Sequence, residues 1–523
     1  MARSLSVGII GAGPGGLALG ILLRKAGFHD FTIFDREDGV GGTWRTNTYP
    51  GLACDVKSHL YSYSFDLNAH WSRLWSGQRE ILAYFERCAR RHQLQPHLQL
   101  NTEIVSARWE PGPRQWRLTT STGAEHVFDI VVSAVGLFTR PVLPDLVEEE
   151  PFTGTVMHTA AWDHAVDLRG KHVAVLGTGS TAAQLVPEVA KLAAKVYSVQ
   201  RSPTWVLPKP DRAYTGREKW LFAHLPLAKK IYRTRLWLRS ESNISVIEDG
   251  SDKTQEFRGI ALRTLEATVA DEELRARLTP DHPFGCKRLV FATEYLQTLT
   301  QPHVEVVSSA ARALRSRSLV TEDGTELDVD VVVCATGYAA ADYLGQIEVR
   351  GAGDTALADT WRDGAFAYLG MAVPGYPNFF MLYGPNTNVG SNSVIFMLEA
   401  QARYIVQVCR YMRRRGKVSV EVRADVTARF LAWIDRWMQG TVWLTRCSNY
   451  FRAPNGRVVT QWPRSARFFW ALTRWFRPGD YVFDIDLSSR EAAGIRPAAR
   501  RFGSVGSMGA ARVYGALRRR WPA

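Results

Sequence analysis

Two glycine-rich turns carry the first chemical signal. Gly11-x-Gly13-x-x-Gly16 follows the apolar run "SVGII" and opens a stretch with apolar residues at Leu17, Leu19, Leu22 and Leu23. Gly177-x-Gly179-x-x-Ala182 follows "HVAVL" and opens "STAAQLVPEVA", with Ser180 at its start. Strand, glycine turn and helix in this order make a cradle for a dinucleotide pyrophosphate. The glycines permit tight turning and close backbone approach, and the helix N-terminus faces the anion. Counted from the first glycine of each turn, Asp35 in "FTIFDRE" and Arg201 in "KVYSVQRS" stand at the same offset, so the two units read as being in register with opposite charge. An acid there suits a ribose 2′-hydroxyl, as in the adenosine half of FAD. Arg201 with Ser202 suits a 2′-phosphate, so the second turn should prefer NADPH to NADH.

The elements around these turns repeat. "DIVVSAVG" (Asp129 to Gly136) and "DVVVCATG" (Asp330 to Gly337) share one pattern, β-branched residues running without alternation into glycine, which reads as a buried strand closing each unit. The chain is therefore expected to be α/β, with two Rossmann-like dinucleotide-binding domains, one for each cofactor. Between Arg201 and Lys287, residues Trp220, Leu221, Leu225, Ile231, Leu236, Trp237 and Leu238 fall at helix-like spacing, so a helical insertion is expected to pack over the second site. A flavin and a reduced nicotinamide in one chain imply hydride transfer between them. Disulfide reductases of this two-unit kind need a closely spaced cysteine pair, which is absent, so molecular oxygen is the expected electron acceptor.

Bulk properties exclude several classes. At 523 residues, 46% hydrophobic and 22% charged, the chain has the composition of a globular protein of two or three domains. No apolar run reaches the length of a spanning helix, and the N-terminal run meets glycine at once, reading as a strand rather than a leader. The net charge of +14 is spread along the chain with no recognisable nucleic-acid module, so no nucleic-acid partner is expected. Arginines concentrate between Arg490 and Arg520; this tail reads as a solvated terminus, with weak contact to an anionic membrane as the alternative. Six scattered cysteines (Cys54, Cys88, Cys286, Cys334, Cys409, Cys447) show no metal-like or framework spacing, which argues against a disulfide framework and for a reducing cytoplasm.

Two longer patterns carry a family resemblance. F-x-G-x-x-x-H-x-x-x-W-D is met by Phe152, Gly154, His158, Trp162 and Asp163 between the two turns, and G-x-W-x-x-x-x-Y-P-G-x-x-x-D by Gly42, Trp44, Tyr49, Pro50, Gly51 and Asp55. With "PFGCKRL" and "YPNFFMLYGPNTNVGSNSVIFMLEAQARYI", the chain from Val7 to about Phe483 resembles the Baeyer–Villiger monooxygenases, FAD- and NADPH-dependent class B flavoproteins. The sister group that oxygenates nitrogen and sulfur usually lacks the Trp-Asp of the first pattern and the Asp of the second. It stays as the alternative, with a non-oxygenating NADPH–flavin reductase behind it.

The resemblance implies that oxygen adds to the reduced flavin and that the resulting peroxide attacks a ketone, giving an ester or lactone. Arg288 matches the family's active-site arginine and Asp55 the carboxylate that positions it. A guanidinium suits both the peroxide and the later oxyanion, because it cannot give up its proton and presents a fixed fork of donors. Lys287 matches a position that holds the NADP 2′-phosphate with Arg201, and Trp443 a tryptophan near the nicotinamide ribose. The pattern breaks after Trp443: the expected glycine is Arg446, and the expected asparagine is displaced to Asn449, so that loop is expected to be arranged differently. His158 and Trp162 are read as packing a hinge between the domains, and Lys57 as a solvated rim residue. The implied boundaries are an FAD-binding domain at 1–140 and 341–485, a linker at 141–164, an NADPH-binding domain at 165–210 and 283–340, a helical insertion at 211–282 and the basic tail at 486–523.

Overall fold

A computed structural model describes residues 5–447 and 449–484. The tail read at 486–523 lies outside the described residues.

Two five-stranded parallel sheets organise the chain. One runs Phe379–Met381, Ile130–Ser133, Val7–Ile10, Phe31–Phe34, Leu98–Gln99; the other runs Thr155–His158, Val331–Cys334, His172–Leu176, Lys195–Val199, Val304–Val307. The two orders correspond strand for strand. Ile130–Ser133 and Val331–Cys334 are buried at every position, as strands covered on both faces must be. The match extends to single hydrogen bonds: Asp129 Oδ2 accepts from the Ser6 N–H and Asp330 Oδ2 from the His172 N–H, each at 2.9 Å. Each acid thereby fastens the start of its neighbouring strand.

The correspondence also corrects the count made from the glycines. The Gly11 N–H donates to the Phe34 carbonyl and the Gly177 N–H to the Val199 carbonyl, so Phe34 and Val199 are equivalent. Asp35 is then matched by Gln200, and both donate their N–H to the next strand, at Gln99 and Val307. Arg201 lies one position further on. The link from turn to second strand is one residue shorter in the second unit, which equal offsets in sequence conceal.

"FTGTVMHTAAWD" supplies the outer strand of the second sheet, Thr155–His158. A Cβ on Gly154 would lie 2.2 Å from the Asp330 carbonyl oxygen, and the Phe152 ring covers the same spot. His158 Nδ1 accepts from the Ala160 N–H at 3.0 Å, Asp163 Oδ1 from the Ala165 N–H at 2.8 Å, and Trp162 packs on the second core. Each residue of this pattern therefore has a packing or capping task, and burial lowers the His158 pKa.

Helices Gly216–His224, Pro226–Glu241, Asp252–Thr268 and Glu272–Leu278 form the insertion. Its expected packing is only partly realised: Leu236 is buried, whereas Trp220, Leu225, Ile231 and Leu238 are exposed. Among the described residues no helix is long and apolar enough to cross a membrane.

The two units meet where Tyr49–Ala53 lies against the helix Ser180–Ala190. Gln184 Oε1 accepts from the Tyr49 hydroxyl at 3.1 Å and from the Ala53 N–H at 3.4 Å, and its Nε2 donates to the Ala53 carbonyl at 2.9 Å. Gly51 has φ +80°, and a Cβ there would lie 2.3 Å from the Gln184 carbonyl oxygen. Gly51→Ala therefore combines a left-handed backbone with a backbone clash, an expected cost of about 1–3 kcal/mol. Thermal unfolding should show a lower melting temperature than wild type, and an unchanged one would disprove the contact.

Candidate active site

A cavity of about 1130 Å³ opens between the two glycine turns. Gly13, Gly42 and Trp44 line it from the first unit, and Gly177, Gly179 and Ser180 from the second. The residues before the two helices, Gly13 and Gly179, have matching backbones (φ −72°, ψ −175° and φ −72°, ψ −176°), and neither helix carries a side-chain cap or an acid in its first turn. Their first N–H groups are left for an anion. At the first turn a Cβ on Gly42 would come within 2.9 Å of the Gly13 Cα, and at the second the Ser180 hydroxyl is buried with no partner among the described residues. Both turns thus fit a dinucleotide pyrophosphate.

The remaining expected contacts divide. Gly11 and Gly16 shape the first turn from behind the cavity wall: a Cβ on Gly16 would overlap the Gly11 carbonyl oxygen. Asp35 is also set back, its carboxylate accepting from the N–H groups of Ala12 at 2.6 Å and Glu37 at 3.0 Å. Burial raises its pKa against these two bonds. In the second unit Arg201, Ser202 and Lys287 all reach the cavity. Lys287 Nζ donates to Ser202 Oγ at 2.8 Å, and burial followed by the nearby Arg201 charge lowers its pKa. Neither cation forms an ion pair with a described residue, so their charge is available to a ligand. Trp443 does not reach the cavity wall. It is buried on the short helix Val442–Leu444 with its ring against Gly390, and its carbonyl accepts from Arg452 at 2.7 and 2.9 Å.

Asp55 and Arg288 meet between the two nucleotide turns. Arg288 Nη2 donates to Asp55 Oδ2 at 2.5 Å, and both residues line the cavity. The Arg288 side chain keeps 42% of its surface accessible, against 16% for Asp55. The acid is seated in the wall while the guanidinium fork stays open to the cavity. Burial pushes the Asp55 pKa up, but the charge and hydrogen bond of Arg288, with the charge of Lys209, outweigh it and hold the carboxyl below its ordinary range. The same pairing raises Arg288, chiefly through the charge of Asp55. What results is a permanent cation, aimed by an ionised acid, at the edge of a nucleotide cavity.

The comparisons with known proteins agree. The family model "Flavin-binding monooxygenase-like" matches residues 4–217. A Baeyer–Villiger monooxygenase of Pseudomonas aeruginosa is 39% identical over 482 residues, 92% of each chain, and one of Streptomyces coelicolor is 37% identical over 95% of this chain and 94% of its own. This chain belongs to the Baeyer–Villiger monooxygenase family. Among solved structures, a closed form of cyclohexanone monooxygenase superimposes with TM-score 0.82 at 26% identity, covering 93% of this chain and all of that one. A steroid monooxygenase bound to NADP gives 0.81 at 27% identity, over 92% and 99%.

Against this family background three features had no legible signal. Lys209, buried, donates from Nζ to the Cys54 carbonyl at 2.9 Å and adds its charge near Asp55, although 155 residues separate the bonded pair. Tyr383 and Tyr450 line the cavity near Arg288, whose charge acts on both hydroxyls. The third corrects the cysteine reading. Cys286 and Cys447 form a disulfide across 161 residues, with Cα atoms 6.5 Å apart, while Cys54, Cys88, Cys334 and Cys409 are free and buried. A pair this distant leaves no spacing motif. The bridge ties the segment bearing Lys287 and Arg288 to the segment bearing Trp443 and Tyr450. Alkylation of denatured, unreduced protein should label the four free cysteines and, after reduction, all six; six labels without reduction would remove the bridge.

Proposed function

We propose that this chain uses NADPH and O₂ to insert one oxygen atom beside a ketone carbonyl, giving an ester or lactone. The observation that carries the reading is the Asp55–Arg288 pair in the wall of a cavity served by both dinucleotide turns. FAD, reduced by hydride from NADPH, would supply the oxygen activation. The helix N-termini after Gly13 and Gly179 would hold the two pyrophosphates, with Gly42 and Trp44 closing over the first. Asp35 sets the Ala12 backbone of that turn and is assigned to the FAD ribose. Arg201, Ser202 and Lys287 would hold the 2′-phosphate of NADPH.

Arg288 is the group for the oxygen step. Ketone oxygenation passes through an anionic tetrahedral adduct, and a guanidinium at its oxyanion lowers that state without a proton leaving the donor. Asp55 fixes the fork and balances its charge while the cavity is empty of anions. The cost of seating the Asp55 carboxylate in the cavity wall is offset in turn by the guanidinium that it accepts from. Lys209 holds the Cys54 carbonyl and so fixes the turn that presents Asp55.

Arg288→Ala should leave flavin reduction by NADPH within a few-fold of wild type while ester yield per NADPH falls about 100-fold or more, the electrons appearing as hydrogen peroxide. Product mass with a small ketone panel, run beside NADPH and peroxide assays, reads all three quantities. Survival of the ester yield would refute the assignment.

Arg201→Ala should raise the KM for NADPH about tenfold or more and leave the KM for NADH nearly unchanged. Equal effects on the two would show that Arg201 does not read the phosphate.

A further inference from the structure

The helical hairpin Gly216–His224 and Pro226–Glu241 has one face with a task and one without. On its inner face, the rings of Tyr214, Phe222 and Tyr232 surround the buried His59 imidazole at centroid distances of 5.3, 4.5 and 5.2 Å. Lys229 Nζ reaches the Leu67 carbonyl at 3.4 Å, and Arg233 Nη2 the Ser62 carbonyl at 3.2 Å. These contacts seat the hairpin on the segment that follows Asp55.

The outer face carries the opposite residue types from those a solvated helix needs. Leu227, Ile231 and Leu238 recur at helical spacing along one side of Pro226–Glu241, and Trp220 on the preceding helix and Leu225 at the bend are exposed as well. Leu227 leaves 68% of its surface in solvent and Trp220 55%, so neither contributes appreciably to the core. Lys219, Lys230, Arg235 and Arg239 are exposed among them. From Lys219 to Ser240 there is no acid. The two acids at the ends are occupied: Glu218 takes Arg212 at 2.7 and 2.8 Å, and Glu241 takes Asn392 and the N–H groups of Ala466 and Arg467.

We propose that this outer face is a docking surface for an anionic lipid bilayer. An apolar patch ringed by uncompensated cations fits the boundary between acyl chains and acidic headgroups, where the side chains enter the first layer and the cations meet phosphates. A second copy of the chain would bring the same cations together, and a nucleic acid offers nothing to Leu225, Leu227 and Ile231. The cations and the bare apolar side chains therefore select the same partner.

The test is co-sedimentation of the full-length holoenzyme with phosphatidylcholine vesicles, with and without phosphatidylglycerol. Wild type should bind the anionic vesicles about tenfold or more better than the neutral ones, and lose that preference in high salt. Leu227→Glu combined with Ile231→Glu should abolish binding, since both residues are exposed, while oxygenation of a water-soluble ketone is unchanged. Lys219→Glu with Lys230→Glu keeps every apolar residue and should also abolish the preference. Equal binding to both vesicle types, or undiminished binding by both double variants, overturns the proposal; the second result would place the membrane contact elsewhere in the chain. So would a dimer in light scattering that the apolar variant dissociates. Vesicle binding is read without turnover, so its failure and a failure of the oxygenase assignment are separate results.

Discussion

The placement of Tyr49–Ala53 against Gln184 governs the geometry of the cavity. One glutamine side chain bonds the Tyr49 hydroxyl and both backbone groups of Ala53, and Gly51 lets the two backbones approach to a distance no Cβ would allow. Asp55 follows four residues after Gly51, so its position relative to the second unit is inherited from this contact. Arg288 belongs to that second unit. The ion pair is thus the far end of a rigid connection between two sheets that share no strand. The glycine and tyrosine of the Gly42–Asp55 pattern serve the joint, and its aspartate holds Arg288 in the cavity wall.

Much of the architecture was legible because the duplication repeats local physics. Glycines at close backbone approaches and strands covered on both faces leave patterns within a few residues of one another, so both sheets could be read. Asp55, Arg288, Lys287 and Arg201, all read from motif residues, line one cavity, so their proximity was legible from sequence. What escaped depends on contacts between remote segments. Cys286 with Cys447, Lys209 with Cys54 and Gln184 with Ala53 each join positions more than 130 residues apart. Trp443 sits where the local pattern is broken by Arg446, and its buried ring packs against Gly390.

The insertion shows how periodicity misleads about direction. Helical spacing of Trp220, Ile231 and Leu238 was a sound sign of helix, and the helices are present. Spacing cannot say which side of a helix meets the protein. Here the interior is supplied by Phe222, Tyr232 and Leu236, assembled around His59, and the more conspicuous stripe is left outside.

The matching glycine turns bear on how cofactor identity is encoded. Gly13 and Gly179 agree in backbone conformation to within a degree, so neither turn can tell one pyrophosphate from another. Selectivity is left to what stands beyond the second strand of each unit. There the shorter link in the second unit advances the arginine by one residue relative to the first unit's acid, about 3.3 Å along an extended chain. A ribose bearing a phosphate ester is larger than a bare one by a similar span. The two cradles are thus alike while the residues beyond them are offset by one position, so the difference between the units lies at the end of the second strand and not in the glycine turn.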